Sequence, residues 1–174
     1  MGDFKPDAQL IQTLPSGVLN GIDNHRLVDR ETDRFAQVKS LRPLFSDTRR
    51  RYAGVVTDIA FDYFLIKHWN TFASMSFDEF IELAYQGLGQ TQDFMPARMQ
   101  YVTSNMIEHD WLRSYATLDG VGRSIDMVSK RIRFTNNMAG AIEEVEQNYA
   151  EIERVFLLLF AHLKAVVEHA ALES

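Results

Sequence analysis

Apolar residues that recur every three or four positions constrain this chain more than any other feature. The pattern is clearest near the C terminus, where it comprises Ile142, Val145, Tyr149, Ile152, Phe156, Leu159, Leu163 and Val166. This spacing places side chains on one face of an α-helix and does not fit the strict alternation of a β-strand. The segment therefore predicts a long amphipathic helix over about residues 140–170.

The helical period continues through most of the chain. The predicted helices cover approximately residues 6–14, 17–28, 32–41, 51–69, 77–87, 97–107, 121–132 and 140–170. Local signals support several of these bounds: Ser76 and Glu79 have the spacing of a capping box, and Pro96 can open a helix. Because no repeat, low-complexity tract or linker interrupts the pattern, we expect residues 1–174 to form a single all-α bundle.

Composition narrows the classes of function. The net charge of −6 disfavours nucleic acid as a partner, because phosphate backbones attract basic surfaces. Cysteine is absent, which excludes disulfides and thiolate chemistry within the chain and fits a reducing cytoplasm. The longest apolar stretch, residues 155–163, is about half the length of a membrane span, and no signal peptide is recognisable. We therefore expect a cytoplasmic protein that does not bind membranes.

Two pairs of residues with a spacing of four could bind a cation. His25 and Asp29 would lie one turn apart on a helix, where an imidazole and a carboxylate can share a divalent ion or simply pair at the surface. Asp58 and Asp62 have the same spacing on a helix that looks buried nearly all round. Two buried carboxylates are costly, so either a cation or a basic residue from another helix should neutralise them, or this stripe of the helix is more solvated than it looks.

Other polar motifs are weaker. The adjacent pair His109-Asp110 resembles a metal-binding dipeptide, but no partner at helical spacing supports it, and we predict that it is not a metal site. Basic residues cluster at 49–51 and at 130–133. Each cluster could bind phosphate or an acidic partner, although ordinary solvated helix faces have the same composition.

The order of these motifs resembles the acyl carrier protein phosphodiesterase family. Three blocks carry the resemblance: Gly2-Asp3-Phe4 with Gly21-Ile22, His25-Arg26, Asp29, Thr32-Asp33 and Arg42; then Arg50-Arg51-Tyr52, Asp58, Asp62-Tyr63-Phe64-Leu65 and His68-Trp69; and finally Asp110-Trp111-Leu112 with Tyr115. The family usually has a histidine-bearing segment before the Gly-Asp-Phe element. This chain does not show that segment, so we expect it to bind metal weakly.

The resemblance implies an all-α enzyme similar to the His-Asp metal phosphohydrolases. Its implied reaction is the metal-dependent hydrolysis, with manganese or magnesium, of the phosphodiester between 4′-phosphopantetheine and a serine of acyl carrier protein. Acyl carrier proteins are acidic, so an acidic enzyme should present a local basic face to its partner.

A divalent cation can acidify bound water and polarise a phosphoryl group. On this basis we assign the metal to His25, Asp29 and Asp62, with Asp3 as a further ligand. The remaining assignments are Asp58 and Asp33 as orienting carboxylates, Arg26 as a phosphate-binding residue and His68 as a proton carrier.

Two other interpretations stay open at this point. The chain could be a related hydrolase of a nucleotide or another small phosphate ester, or an inactive helical module that binds a carrier protein. No glycine-rich phosphate loop or nucleotide fingerprint is present in the sequence, which favours a substrate carried on a protein.

Overall fold

The computed structural model describes residues 8–132, 134 and 136–172, and these residues form helices without any β-strand. The all-α fold predicted from the sequence is confirmed. The α-helices are α1 (Ala8–Thr13), α2 (Ser16–Arg34), α3 (Ala36–Ser40), α4 (Ala53–Lys67), α5 (Trp69–Phe72), α6 (Phe77–Gln90), α7 (Ala97–Glu108), α8 (Trp111–Ser114), α9 (Leu118–Arg131), α10 (Ile142–Gln147) and α11 (Tyr149–Ala170).

Helix α2 is longer than the sequence pattern predicts. The predicted boundary between residues 28 and 32 is wrong, because no glycine or proline interrupts the segment and α2 continues to Arg34. The helix ends at Phe35, whose backbone turns to an extended conformation. The Phe35 ring stacks on His162 of α11 at a centroid distance of 5.3 Å. A tertiary contact therefore sets this boundary, and Asp29 and Asp33 lie on the same helix as His25.

The helix predicted over residues 51–69 is divided in the structure. A 3-10 turn at Arg50–Tyr52 precedes α4, and His68 separates α4 from the short helix α5. The C-terminal helix is likewise divided, since Asn148 separates α10 from α11. Both interruptions occur without glycine or proline, which explains why the apolar period alone did not indicate them.

Helix α4 lies at the centre of the bundle and contacts α9, α10 and α11. The buried residues of α4 are Ala53, Val56, Thr57, Ala60, Phe61 and Phe64. Phe64 packs against Tyr149 and Phe156 of α11 at centroid distances of 5.0 and 6.0 Å. Asp58 and Asp62 lie on an exposed strip of the helix, so the prediction that α4 is buried nearly all round is wrong. One exposed strip on a central helix gives solvent access to residues held rigidly by the core.

Helices α6 and α7 form a hairpin against the remainder of the bundle. The predicted capping box is confirmed, because the Glu79 amide donates to the Ser76 hydroxyl at 3.2 Å and the Ser76 amide donates to the Glu79 carboxylate at 3.0 Å. Within the described part of the chain, none of the helices has the length and apolar character needed to cross a membrane.

Candidate active site

A cleft of about 470 Å³ opens between the C-terminal half of α2 and the exposed strip of α4. Three carboxylates line it, Asp29 and Asp33 from α2 and Asp58 from α4, and we call it the carboxylate cleft. Phe61 and Thr57 contribute from the buried side of α4, where the Thr57 hydroxyl donates to the Ala53 carbonyl oxygen at 2.9 Å. The cleft thus has an ordered apolar wall and an acidic rim.

A second cleft of about 290 Å³ adjoins the first and shares Asp33, Val38, Gly54 and Thr57 with it. Its other polar lining residues are basic, namely Lys39, Arg42, Arg50 and Arg51, and we call it the arginine cleft. Arg50 forms an ion pair with Asp47 at 2.7 Å. Arg42 and Arg51 are exposed, so their guanidinium groups can reach a bound anion without first leaving the protein core.

The two adjoining clefts bring together residues that are far apart in the sequence. Asp29 and Asp33 belong to the first block of the family resemblance, whereas Asp58 and Arg51 belong to the second. Guanidinium groups bind phosphate oxygens strongly, and carboxylates can position or deprotonate water. A recess with acidic and basic ends is therefore suited to bind and hydrolyse a phosphate ester.

His25 and Asp29 lie side by side, as the spacing predicts. The distance from His25 Nε2 to Asp29 Oδ2 is 3.3 Å, and both side chains keep exposed surface. Arg26 does not line either cleft. It donates to Asp23 Oδ1 at 3.3 Å along its own helix, on an exposed face, which leaves the phosphate-binding role assigned to Arg26 a prediction without geometric support.

Asp62 lies one turn beyond Asp58 on α4 and does not itself line either cleft. Asp62 is exposed to solvent, but nearby protein atoms remove part of the hydration of its carboxyl group, and the negative charge of Asp58 adds to this effect. Together they raise the pKa of Asp62 to about 7. The negative charge of Asp62 in turn contributes, after burial, to a raised pKa of Tyr115. A carboxyl group that titrates near pH 7 can donate or accept a proton under physiological conditions.

The described residues do not include three or more histidine and carboxylate side chains grouped so as to hold a metal ion. The predicted convergence of His25, Asp29 and Asp62 on one ion is therefore not seen in this structure. Asp3, the remaining predicted ligand, lies outside the described residues. Since the described residues provide only pairs, they define at most part of a metal site.

Two residues singled out by the sequence have other partners. His68 Nε2 lies 2.7 Å from Glu153 Oε1 on α11, where the same carboxylate pairs with Lys67 at 2.6 Å. His68 lines neither cleft, so its proposed role as a proton carrier also lacks geometric support.

Arg49 differs from its basic neighbours because it is largely buried and its side chain holds three protein groups. It donates to the carbonyl oxygens of Asn137 and Ala139, each at 2.9 Å, and to Glu144 Oε1 at 3.2 Å. The interpretation of residues 49–51 as one partner-binding patch is therefore wrong for Arg49. Arg49 anchors the start of α4 to the loop before α10, and only Arg50 and Arg51 face the cleft.

Asp110 has a structural role at the turn between α7 and α8. Asp110 accepts hydrogen bonds from the Tyr85 hydroxyl and from Arg113 Nη1, each at 3.0 Å. These bonds, and the left-handed backbone of Asp110, turn the chain from α7 into α8 and connect α8 to α6. That His109-Asp110 is no metal site stays a prediction.

Lys39 and Gly54 line the recess, and neither residue was predicted from the sequence. Gly54 lies in the first turn of α4, and a Cβ added there would meet no atom within 4 Å. A glycine inside a helix lowers helix stability by up to about 1 kcal/mol relative to alanine. A helical glycine that no packing contact requires can therefore indicate open space for a ligand. Lys39 carried no comparable signal.

Comparison with known proteins shows the family of the chain. Residues 1–163 match the family model described as acyl carrier protein phosphodiesterase. A protein of that name from Serratia proteamaculans (strain 568) is 33% identical over 156 residues, covering 86% of this chain and 80% of the relative. Proteins of the same name from Yersinia pestis and Photorhabdus laumondii are each 28% identical, over 156 and 173 residues, covering 89% and 97% of this chain and 81% and 85% of the relatives. No solved structure matches the chain.

Proposed function

This chain belongs to the acyl carrier protein phosphodiesterase family, and we propose that it hydrolyses the phosphodiester that joins 4′-phosphopantetheine to the serine of holo acyl carrier protein. The observation that carries the proposal is the recess formed by the carboxylate and arginine clefts. One end of the recess suits a phosphate anion, and the other end suits proton transfer and water. The products would be the apo carrier protein and free 4′-phosphopantetheine.

The basic end of the recess would bind the charged groups. Arg42 and Arg51 are exposed at its rim, where they can donate hydrogen bonds to the phosphate oxygens or pair with acidic residues of the carrier protein. This local positive charge matters because the enzyme as a whole is acidic, with a net charge of −6. Without such a region, two acidic proteins would repel each other on approach.

The acidic end would carry out the proton chemistry. A water molecule attacks phosphorus, the bond from phosphorus to the serine oxygen breaks, and the departing serine oxygen takes a proton. Asp58 and Asp29 can orient the water and accept its proton. Asp62 can donate a proton to the serine oxygen, because its raised pKa keeps a substantial protonated fraction near pH 7. We propose this role for Asp62 beside the metal ligation assigned from the sequence, which stays a prediction.

A divalent cation, manganese or magnesium, stays part of the proposal; when bound it would acidify water and neutralise phosphoryl charge. The assignments of Asp3, His25 and Asp29 to that cation, and the cytoplasmic location, likewise remain predictions.

The proposed reaction can be tested by incubating holo acyl carrier protein with the purified chain in the presence and absence of manganese. We expect the mass of the carrier to fall by that of the phosphopantetheine arm, leaving the apo form. An unchanged carrier mass, together with hydrolysis of nucleotides or small phosphate esters, would favour the related-hydrolase interpretation. Binding of the carrier without any hydrolysis would indicate an inactive binding module.

Charge reversal in the arginine cleft should weaken recognition of the carrier protein. We expect Arg51→Glu to raise the KM for holo carrier protein by about tenfold or more and to reduce its dependence on salt, because a favourable charge contact becomes repulsive. Lys164→Glu provides a matched control, since it makes the same charge change on an exposed position of α11. Equal KM values for the two variants would contradict the assignment of the arginine cleft to the partner.

A further inference from the structure

A third recess lies on the same side of α2, between its N-terminal half and the α6–α7 hairpin. It has a volume of about 260 Å³ and is lined mainly by apolar side chains: Val18, Ile22, Leu88, Phe94, Met95 and Met99. We call it the apolar pocket. Ile22, Met95 and Met99 are buried, whereas Phe94 is an exposed aromatic residue. His25 also lines the pocket and contributes the nearest titratable side chain.

The apolar pocket and the carboxylate cleft follow one another along a single face of α2. Residues 18, 21, 22 and 25 line the pocket, and residues 28, 29, 32 and 33 line the cleft. At 100° per residue, both sets centre on the same direction from the helix axis. His25 lines the pocket, Asp29 lines the cleft, and the two side chains lie 3.3 Å apart. The pocket and the proposed site of hydrolysis are thus neighbours along α2.

The separation of the two recesses fits the length of the prosthetic group. Their centres lie about nine residues apart on α2, or roughly 13 Å at 1.5 Å per residue. From phosphorus to sulfur, an extended phosphopantetheine arm contains about thirteen bonds and spans roughly 15 Å, at the reach per bond of an extended chain. An arm whose phosphorus lies in the carboxylate cleft, with its oxygens directed towards the adjoining arginine cleft, can therefore place its sulfur in the apolar pocket.

We infer that the apolar pocket binds the distal end of the phosphopantetheine arm together with an apolar acyl group attached to its sulfur. This inference rests on the proposed function and specifies its substrate: the enzyme accepts acyl-loaded carrier protein and selects apolar over charged acyl groups. Burial of methylene groups favours binding, whereas a carboxylate placed among methionine and isoleucine side chains loses hydration. The imidazole of His25, which also lines the pocket, already lies beside the Asp29 carboxylate. Val18, Thr91 and Met99 are then specificity-determining residues.

The experiment compares carrier proteins that differ only at the end of the arm. Holo, hexanoyl and succinyl forms of one acyl carrier protein are incubated with the manganese-supplemented enzyme, and kcat/KM is measured for each by mass spectrometry. We expect the hexanoyl form to be cleaved at least tenfold more efficiently than the succinyl form. Val18→Trp, which fills the pocket from α2, should abolish this preference mainly by raising the KM for the hexanoyl form.

Two further variants make the result decisive. Thr91→Phe fills the pocket from the opposite wall and should reproduce the effect of Val18→Trp. Leu83→Trp adds similar bulk on an exposed face of α6 and should retain the wild-type preference. Equal cleavage of hexanoyl and succinyl carriers by the wild type would overturn the inference and leave the proposed function intact. No cleavage of the holo form would overturn both.

Discussion

Replacement of Asp62 by asparagine is expected to reduce kcat for holo carrier protein by about 10²–10⁴-fold, the range associated with loss of a general acid or base. The expectation follows from the position of Asp62 one turn from Asp58, which lines the carboxylate cleft, and from its pKa of about 7. Asparagine preserves the shape of the side chain but cannot donate the proton that the serine oxygen requires. Asp119→Asn, which removes one charge from an exposed position in the first turn of α9, should leave kcat almost unchanged.

The pH dependence of turnover distinguishes this role from a structural one. If Asp62 donates the proton, wild-type activity should fall as the pH rises through about 7, and Asp62→Asn should lack this limb of the profile. A variant that keeps the wild-type pH limb and loses activity uniformly would show that Asp62 acts through metal binding or through the fold.

The Asp62→Asn substitution should raise stability even though it lowers activity. The folded protein holds the Asp62 proton up to about pH 7, whereas the unfolded chain releases it near 3.8. Between these values the folded state binds more protons, so this group lowers stability as the pH rises. In buffers containing a chelator, Asp62→Asn should therefore match the wild-type Tm near pH 4 and exceed it near pH 8. Titratable groups that lower the stability of the folded protein are common at active sites.

The sequence was sufficient to predict the fold class because amphipathic helices must bury their apolar faces against one another. It also placed His25 beside Asp29, and Asp58 one turn from Asp62, because both pairs depend only on helix geometry. The recess itself could not be predicted in this way. It depends on α2 extending to Arg34, and that extension ends at a contact between Phe35 and His162, two residues that are distant in the sequence.

Residues in one sequence cluster can also have unrelated roles. Arg49, Arg50 and Arg51 look equivalent in the sequence, but the direction of each side chain depends on the 3-10 turn before α4 and on the loop before α10. Burial against Glu144 distinguishes Arg49 from the two residues that face the arginine cleft. Periodicity carries no information about such long-range partners, and for that reason a charge cluster alone is weak evidence for a binding surface.

Arg49→Ala is expected to lower the free energy of unfolding by about 2–4 kcal/mol, because it leaves a largely buried carboxylate without its cation. For a chain of this size, that loss corresponds to a Tm roughly 5–15 °C lower. The variant also removes the donors to the carbonyl oxygens of Asn137 and Ala139. Arg154→Ala breaks a comparable pair with Glu151 on the exposed surface of α11 and should cost less than about 1 kcal/mol.

The pH dependence of the Tm difference between Arg49→Ala and the wild type tests whether Glu144 is the source of the lost stability. Although burial acts to raise its pKa, the hydrogen bonds from Ser46 and Arg49 lower it below the ordinary value of 4.5. The folded carboxylate therefore contributes stability above that value, and this contribution is lost as the pH falls through the folded pKa. In Arg49→Ala, protonation of Glu144 relieves the unpaired charge, so the difference in Tm from the wild type should be largest near neutral pH and should shrink in acid. A deficit that is constant with pH would show that the two carbonyl contacts, rather than the ion pair, provide the stability.

Arg49→Lys should recover only part of the loss, because a single ammonium group cannot reproduce the planar arrangement of donors that reaches both carbonyls and the carboxylate.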